Sequence, residues 1–292
     1  MKKILSLFAV LSLSAAGYAH TLDVSAAYTG SSRFDKVQAG VMASPVLNVH
    51  AGLQATWANE HHLFAHPVYS VAAPIGLDFD WMQFDFRPFY YFNNTSHQDG
   101  IQNASAFGLQ SMLWVTLQDD TVNDLYTHAF VGASFARQKG TVFFDDGAAD
   151  NRYYSQAAYT LGVEQNFYQA FLFRVAGTAF QYPNGITGVA ALRSVMDQQE
   201  LADTQTLEIV HDLAKYALSA RLTRQWTETN ASFYVGYRYA EYYTAQADHS
   251  VIVGNAFPLF SQVSLNVCYN HLRTVHNANK RDIWQARLEM AF

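Results

Sequence analysis

Five arginines and five acids fall on the polar side of a two-residue alternation of apolar and polar positions: Arg87, Arg174, Arg221, Arg238 and Arg287, with Asp78, Asp80, Asp85, Glu164 and Glu289. Fixed charges of both signs on one face of a sheet have two uses. They can hold an electric field across an aqueous passage, as selectivity rings do, or neutralise one another in ion pairs that stiffen the sheet. Neither use involves a chemical step. Other reactive side chains are weaker candidates. His61, His62 and His66 lie near Glu60, and His62 and His66 have the spacing of a metal pair on a helix. Nothing there predicts a helix, so no metal and no cofactor is expected. Asp145, Asp146 and Asp150 form an acidic loop that reads as solvated. Cys268 is the single cysteine, which excludes an internal disulfide.

The elements that position these charges read as strands along the whole chain. Tyr69, Val71, Ala73, Ile75, Leu77, Phe79 and Trp81 form one face of residues 69–81, opposite Ser70, Ala72, Pro74, Gly76, Asp78 and Asp80. A period of two is the signature of a strand with unlike faces. Leu47 to Trp57 repeats the pattern, as do the segments beginning at Leu22, Phe107, Phe233 and Val263. The polar faces carry Gly, Ser, Thr, Asn and Gln, the wrong filling for a sandwich, whose inner faces are both apolar. A secreted sandwich or soluble barrel is the alternative. Composition favours a lipid-facing sheet: aromatics make up 15% of the chain and charged residues only 14%, against about 25% in an average globular protein. No apolar stretch after residue 19 approaches the roughly 18 residues a membrane helix needs.

The run Trp284, Ala286, Leu288, Met290 and Phe292, alternating with Gln285, Arg287, Glu289 and Ala291, resembles the final strand of Gram-negative outer-membrane β-barrels. The resemblance implies that Trp284, Leu288, Met290 and Phe292 form an insertion signal read by the barrel-assembly machinery. At the other end, Lys2 and Lys3 precede an apolar stretch from Ile4 to Val10 and a small-residue site ending at Ala19. Residues 1–19 therefore read as a signal peptide cleaved after Ala19, and residues 20–292 as one barrel domain. Cleavage makes the formal charge of −6 two units more acidic, which argues against a nucleic-acid partner.

Connections alternate in length. Short ones are expected near residues 43–45, 80–83, 118–124, 164–167, 224–230 and 257–259, and longer ones near 30–36, 58–67, 93–103, 138–152, 182–212, 242–249 and 272–281. Short inner turns and long outer loops predict an all-β, transmembrane, antiparallel up-and-down barrel of about fourteen strands, within a range of roughly twelve to sixteen. Aromatics near these connections, including Trp81, Phe84, Trp226, Tyr153, Tyr154, Tyr242 and Tyr243, predict two interfacial girdles. Such a barrel is too wide for side chains alone to fill, so an open lumen is expected, unless residues 182–212 fold inward.

Barrel enzymes are a further possibility. Outer-membrane phospholipases carry His-x-Ser, which is absent; His249 and Ser250 are adjacent and point to opposite faces. The Asp-x-His of omptin-type proteases is absent too. The expectation is a channel or porin of the bacterial outer membrane for passive diffusion of small hydrophilic solutes, in contact with outer-membrane lipids and lipopolysaccharide. A non-conducting, plugged or surface-binding barrel is the second reading, and a hydrolase the third.

Overall fold

A computed structural model describes residues 21–32, 34–60, 67–94, 104–120, 125–167, 170–194, 199–200, 209–210, 213–275 and 280–292. The expected signal peptide and cleavage site, and His61, His62 and His66, lie outside the described residues, as does most of the stretch after Ser194 up to Leu213. The strands are β1 (Thr21–Ser31), β2 (Phe34–Val46), β3 (Val49–Glu60), β4 (Val68–Ala72), β5 (Ile75–Phe79), β6 (Met82–Asn94), β7 (Ala104–Asp120), β8 (Leu125–Phe144), β9 (Ala149–Phe167), β10 (Phe171–Gln181), β11 (Val189–Ser194), β12 (Gln199–Glu200), β13 (Ile209–Val210), β14 (Ala214–Trp226), β15 (Ala231–Tyr242), β16 (Asp248–Phe260), β17 (Val263–Thr274) and β18 (Lys280–Ala291).

Neighbours in sequence pair antiparallel, and β18 returns to β1, so the sheet closes. Counting β4 and β5 as one interrupted strand, and leaving aside the short loop strands β11, β12 and β13, fourteen strands form the ring. The seam is completed by two backbone bonds, Leu22 N to Phe292 O at 3.1 Å and Phe292 N to Leu22 O at 2.9 Å. Closure leaves no row of unpaired amides in lipid, where each would cost several kcal/mol. The outward face is apolar: Leu53, Ile75, Val131, Leu161, Val175, Leu218, Val235, Val251 and Trp284 are all exposed.

Prolines mark three of the irregular points. Pro74 lacks the N–H that a ladder needs, and it separates β4 from β5. Register survives the break, with Ala72 opposite Phe89 and Ile75 opposite Phe86. Pro45 and Pro258, expected in turns, lie inside β2 and β16 at register shifts between Ala43 and Val46 and between Pro258 and Phe260. A bulge absorbs the missing donor, so these strands run on and the turns fall later, at Leu47–Asn48 and Ser261–Gln262. The turn expected at 164–167 falls after Phe167, because strand β9 continues to that residue.

Two expected loops are corrected. The connection near 30–36 is only residues 32–33, and 138–152 is mostly strand. Strands β8 and β9 have 20 and 19 residues, about twice the 9–11 needed to cross a bilayer. Their hairpin therefore stands beyond the barrel, with Asp145, Asp146 and Asp150 exposed around its tip. Beyond Lys139 the free edge of β8 is taken by β11, from Val189 opposite Phe144 to Ser194 opposite Gly140.

Candidate functional site

The inner face has three levels, and the outermost is closed. Around almost the whole circumference its inward residues are buried. Thr29, Gln38, Ser70, Ala106, Gln138, Gln156, Thr178, Ala217, Arg238, Ser250, Asn270 and Gln285 each expose 8% or less. An open lumen at this level is thus corrected. Part of the covering is the segment following β10. Tyr182 OH donates to Ala214 O at 2.9 Å and accepts from Gln156 Nε2 at 3.0 Å. Tyr154 OH donates to Gly185 O at 2.5 Å, and Asn184 Oδ1 accepts from Ser155 N at 2.7 Å. Val142, Tyr154, Val189 and Leu213 pack together beneath Phe144 and Ile186. Tyr154 and Tyr242 were expected in an outer girdle, but strand parity turns them inward, where both are buried.

Arg238 and Asp248 are the most deeply buried charges in this belt, both at 0% exposure. Arg238 Nη2 donates to Asp248 Oδ1 at 2.6 Å and to Ser250 Oγ at 2.9 Å, and Tyr242 OH donates to Asp248 Oδ2 at 2.9 Å. Arg238 Nε and Nη1 have no hydrogen-bond partner among the described residues. Cys268 is buried beside Tyr234, Ile252 and Ile283, out of reach of solvent chemistry.

The middle level centres on Arg174. Cross-strand register puts it directly between Glu164 of β9 and Arg221 of β14. Glu164 Oε2 lies 4.0 Å from each guanidinium, so one carboxylate faces two cations. Aromatic faces supply more negative potential: the Arg174 guanidinium carbon sits 4.7 Å from the Trp114 ring centre and 4.3 Å from that of Phe130. Phe130 can lie flat against the wall only because its neighbour is Gly162, where a Cβ would run into the ring and into Val175 O.

The inner level is open. One cavity of about 650 Å³ is lined by Asp23, Ser25, Gln54, Arg87, Ser264, Glu289 and their neighbours. A second, of about 550 Å³, is lined by His50, Asp78, Asp85, Arg87, Gln110, Met112 and Trp114 among others. The two share Asp23, Met42, Pro74 and Arg87 and form one vestibule. Arg87 is held across it by two glutamines, Nη1 to Gln110 Oε1 at 2.8 Å and Nη2 to Gln54 Oε1 at 2.6 Å. Four carboxylates (Asp23, Asp78, Asp85 and Glu289) line the vestibule with this one arginine. Arg287 stands just above, 3.8 Å from Glu289. Asp80 is not in the vestibule; it is exposed in the turn before β6.

A relay that runs into the vestibule wall includes only Asp78 of the lumen residues expected from sequence. Thr21 Oγ1 donates to Ser44 Oγ at 2.9 Å, Ser44 Oγ meets His50 Nδ1 at 2.5 Å, and His50 Nε2 meets Asp78 Oδ2 at 2.5 Å. The residue types are those of a hydrolytic triad, but Ser44 exposes only 6% of its surface. Ser44 is thus shielded from solvent, and the chain of bonds ties β1, β2, β3 and β5 together. Its signal in the sequence was only that His50 and Asp78 share the polar face. Among the described residues no group of three or more potential ligands is placed to hold a metal.

No protein-family model matches this chain, and no curated protein sequence is similar to it. Among solved structures, the CymD monoaromatic hydrocarbon channel is similar in fold, with a TM-score of 0.52 at 7% identity over 93% of this chain and 88% of that one. The Pseudomonas putida toluene transporter TodX aligns with a TM-score of 0.48 at 13% identity, over the same shares of the two chains. The chain has the fold of the outer-membrane channel barrels.

Proposed function

We propose that this protein is a channel of a Gram-negative outer membrane through which small hydrophilic solutes diffuse passively, with no chemical step. The observation that carries this reading is the charged vestibule inside a closed ring whose outward face is apolar. An aqueous, field-bearing cavity within a lipid-facing wall is the arrangement of a conducting barrel. Asp78, Asp85 and Glu289, together with Asp23, favour cations entering the vestibule, while Arg87 and Arg287 set the position of the field. Arg174, Arg221 and Glu164 form the charged collar above it. Solutes cross when the outer belt loosens, with Tyr182–Val189 as the moving part. Export by residues 1–19, assembly through the signal at Trp284, Leu288, Met290 and Phe292, and contact with lipopolysaccharide belong to the same reading.

The second reading, a plugged barrel that conducts nothing, is favoured by the buried outer belt alone. Recording from single proteins in planar bilayers separates the two. The channel reading requires resolvable conductance steps with cations preferred, and silence at every voltage overturns it. A folded barrel should also migrate differently on gels before and after boiling.

A further inference from the structure

On the outward face, near the outer rim, four residues stand in one row across four strands. Tyr239 is directly opposite His249, His249 opposite Arg273, and Arg273 opposite Lys280. Their neighbours fix the direction: Asp248, Ser250, Leu272 and Thr274 are buried inside, so His249 and Arg273 face out. Like charges directly opposite on adjacent strands destabilise a sheet, yet Arg273 and Lys280 are so placed. No carboxylate answers them within ion-pair distance among the described residues. Asp282, two residues along β18 on the same face, feels the Lys280 charge but spends its hydrogen bonds elsewhere, accepting from Tyr269 OH at 2.6 Å and meeting His271 Nδ1 at 2.7 Å. Glu241 is engaged by Lys215 Nζ at 3.0 Å and Tyr216 OH at 2.6 Å. Arg273 Nε is buried with no hydrogen-bond partner.

Height supplies the ligand class. Two rows below, Tyr269 and Trp284 are opposite each other, their ring centres 4.4 Å apart. Aromatic pairs of this kind sit at the boundary between acyl chains and headgroups. Four residues of tilted strand place Arg273 about 10 Å further out, the level of lipid phosphates. Val267, one row below the aromatics, and Val251, opposite His271 in the row above them, are exposed apolar contacts for an acyl chain.

We infer that His249, Arg273 and Lys280 form a binding site for the phosphate of an outer-leaflet lipid, which relieves the Arg273–Lys280 repulsion. The site rests on the outer-membrane placement proposed above but not on conduction. The test is native mass spectrometry of the purified protein in detergent, titrated with bisphosphorylated lipid A, dephosphorylated lipid A or inorganic phosphate. The phosphorylated lipid should bind as a one-to-one adduct, and the variant Arg273→Gln with Lys280→Gln should bind it roughly 30-fold more weakly. Lys280→Glu separates binding from folding. It puts an ion pair where there was repulsion, so it should raise the unfolding temperature of lipid-free protein while abolishing the adduct. Equal affinity for dephosphorylated lipid, unchanged binding by the variants, or inorganic phosphate binding as tightly as the lipid would each overturn the inference. Those results in a protein that still conducts would remove this site and leave the channel standing.

Discussion

Arg238 and Asp248 permit a sharp test of the closed belt, because both are fully buried and hydrogen-bonded to each other. Asp248→Asn keeps the shape and removes one charge, leaving the Arg238 cation in a low-dielectric wall. Removing one partner of a buried pair costs about 3–5 kcal/mol. Arg238→Met strands the Asp248 carboxylate instead. Tyr242 OH still donates to it, so the loss should fall at the lower end of that range. The double variant removes both charges together with two buried donors, Nε and Nη1, that have no partner and cost about 1–3 kcal/mol each. It should therefore approach the parent in stability, which makes the coupling energy at least ~3 kcal/mol. Urea unfolding in detergent micelles, followed by tryptophan fluorescence, measures all four corners of the cycle. If the single losses simply add, with coupling below ~0.5 kcal/mol, the pair is not the locked contact described. Because the pair lies in the belt that closes the lumen, Asp248→Asn should also lengthen channel openings in bilayers.

Three further outcomes are expected. Asp85→Asn or Glu289→Gln should each reduce the cation-to-anion permeability ratio by about fivefold, the effect of ~1 kcal/mol from one nearby charge in water; an unchanged reversal potential in a salt gradient would exclude them from the conduction path. His50→Ala should lower stability by about 1–3 kcal/mol, since Ser44 and Asp78 each lose a partner, whereas His50→Gln, which can bond to both, should retain most of it; equal losses would argue against the relay. Deleting Phe292 removes both backbone bonds that finish the seam with Leu22, so the yield of heat-modifiable protein should fall sharply, and a full yield would show that the seam closes without them.

Strand existence and face were legible because alternation depends only on neighbouring residues. The same parity puts Asp23, which is not among the expected lumen acids, on the face where the vestibule lies. Turn positions were less legible. A proline reads as a turn in sequence, but Pro45 and Pro258 are absorbed by bulges that depend on the partner strand. Apolar residues were read as outward, which hid the inward aromatics. Phe130, Tyr154, Tyr234 and Tyr242 face the lumen, and Phe130 does so because Gly162 leaves it room. The pairing of Arg174 with Glu164 and Arg221 depends on register between three strands, and that of Ser44, His50 and Asp78 joins positions up to 34 residues apart. Such contacts have no local signature.

The distribution of polar satisfaction through the barrel bears on which way it opens. At the inner level, Arg87 spends its Nη atoms on Gln54 and Gln110 and the cavity is already wet-sized; among the described residues only Asp78 Oδ1 is buried there without a hydrogen-bond partner. In the outer belt, Arg238 keeps two donors buried without a partner although it is well placed on Asp248 and Ser250. Water entering the belt would satisfy those donors, offsetting part of the cost of separating Tyr182 from Gln156 and Ala214, two hydrogen bonds that net only about 0.5–1.5 kcal/mol each. Opening also breaks the Tyr154–Gly185 and Asn184–Ser155 bonds and the packing of Val189 on Val142, Tyr154 and Leu213, so the closed belt is the resting state and the protein should gate by brief openings at its outer end. Tyr182→Phe tests this directly: it removes the hydroxyl that bridges Gln156 and Ala214 while keeping the ring packed against Tyr154. Open probability in single-channel records should rise several-fold at unchanged conductance per opening; a change in unit conductance instead would place Tyr182 in the conduction path rather than in the gate.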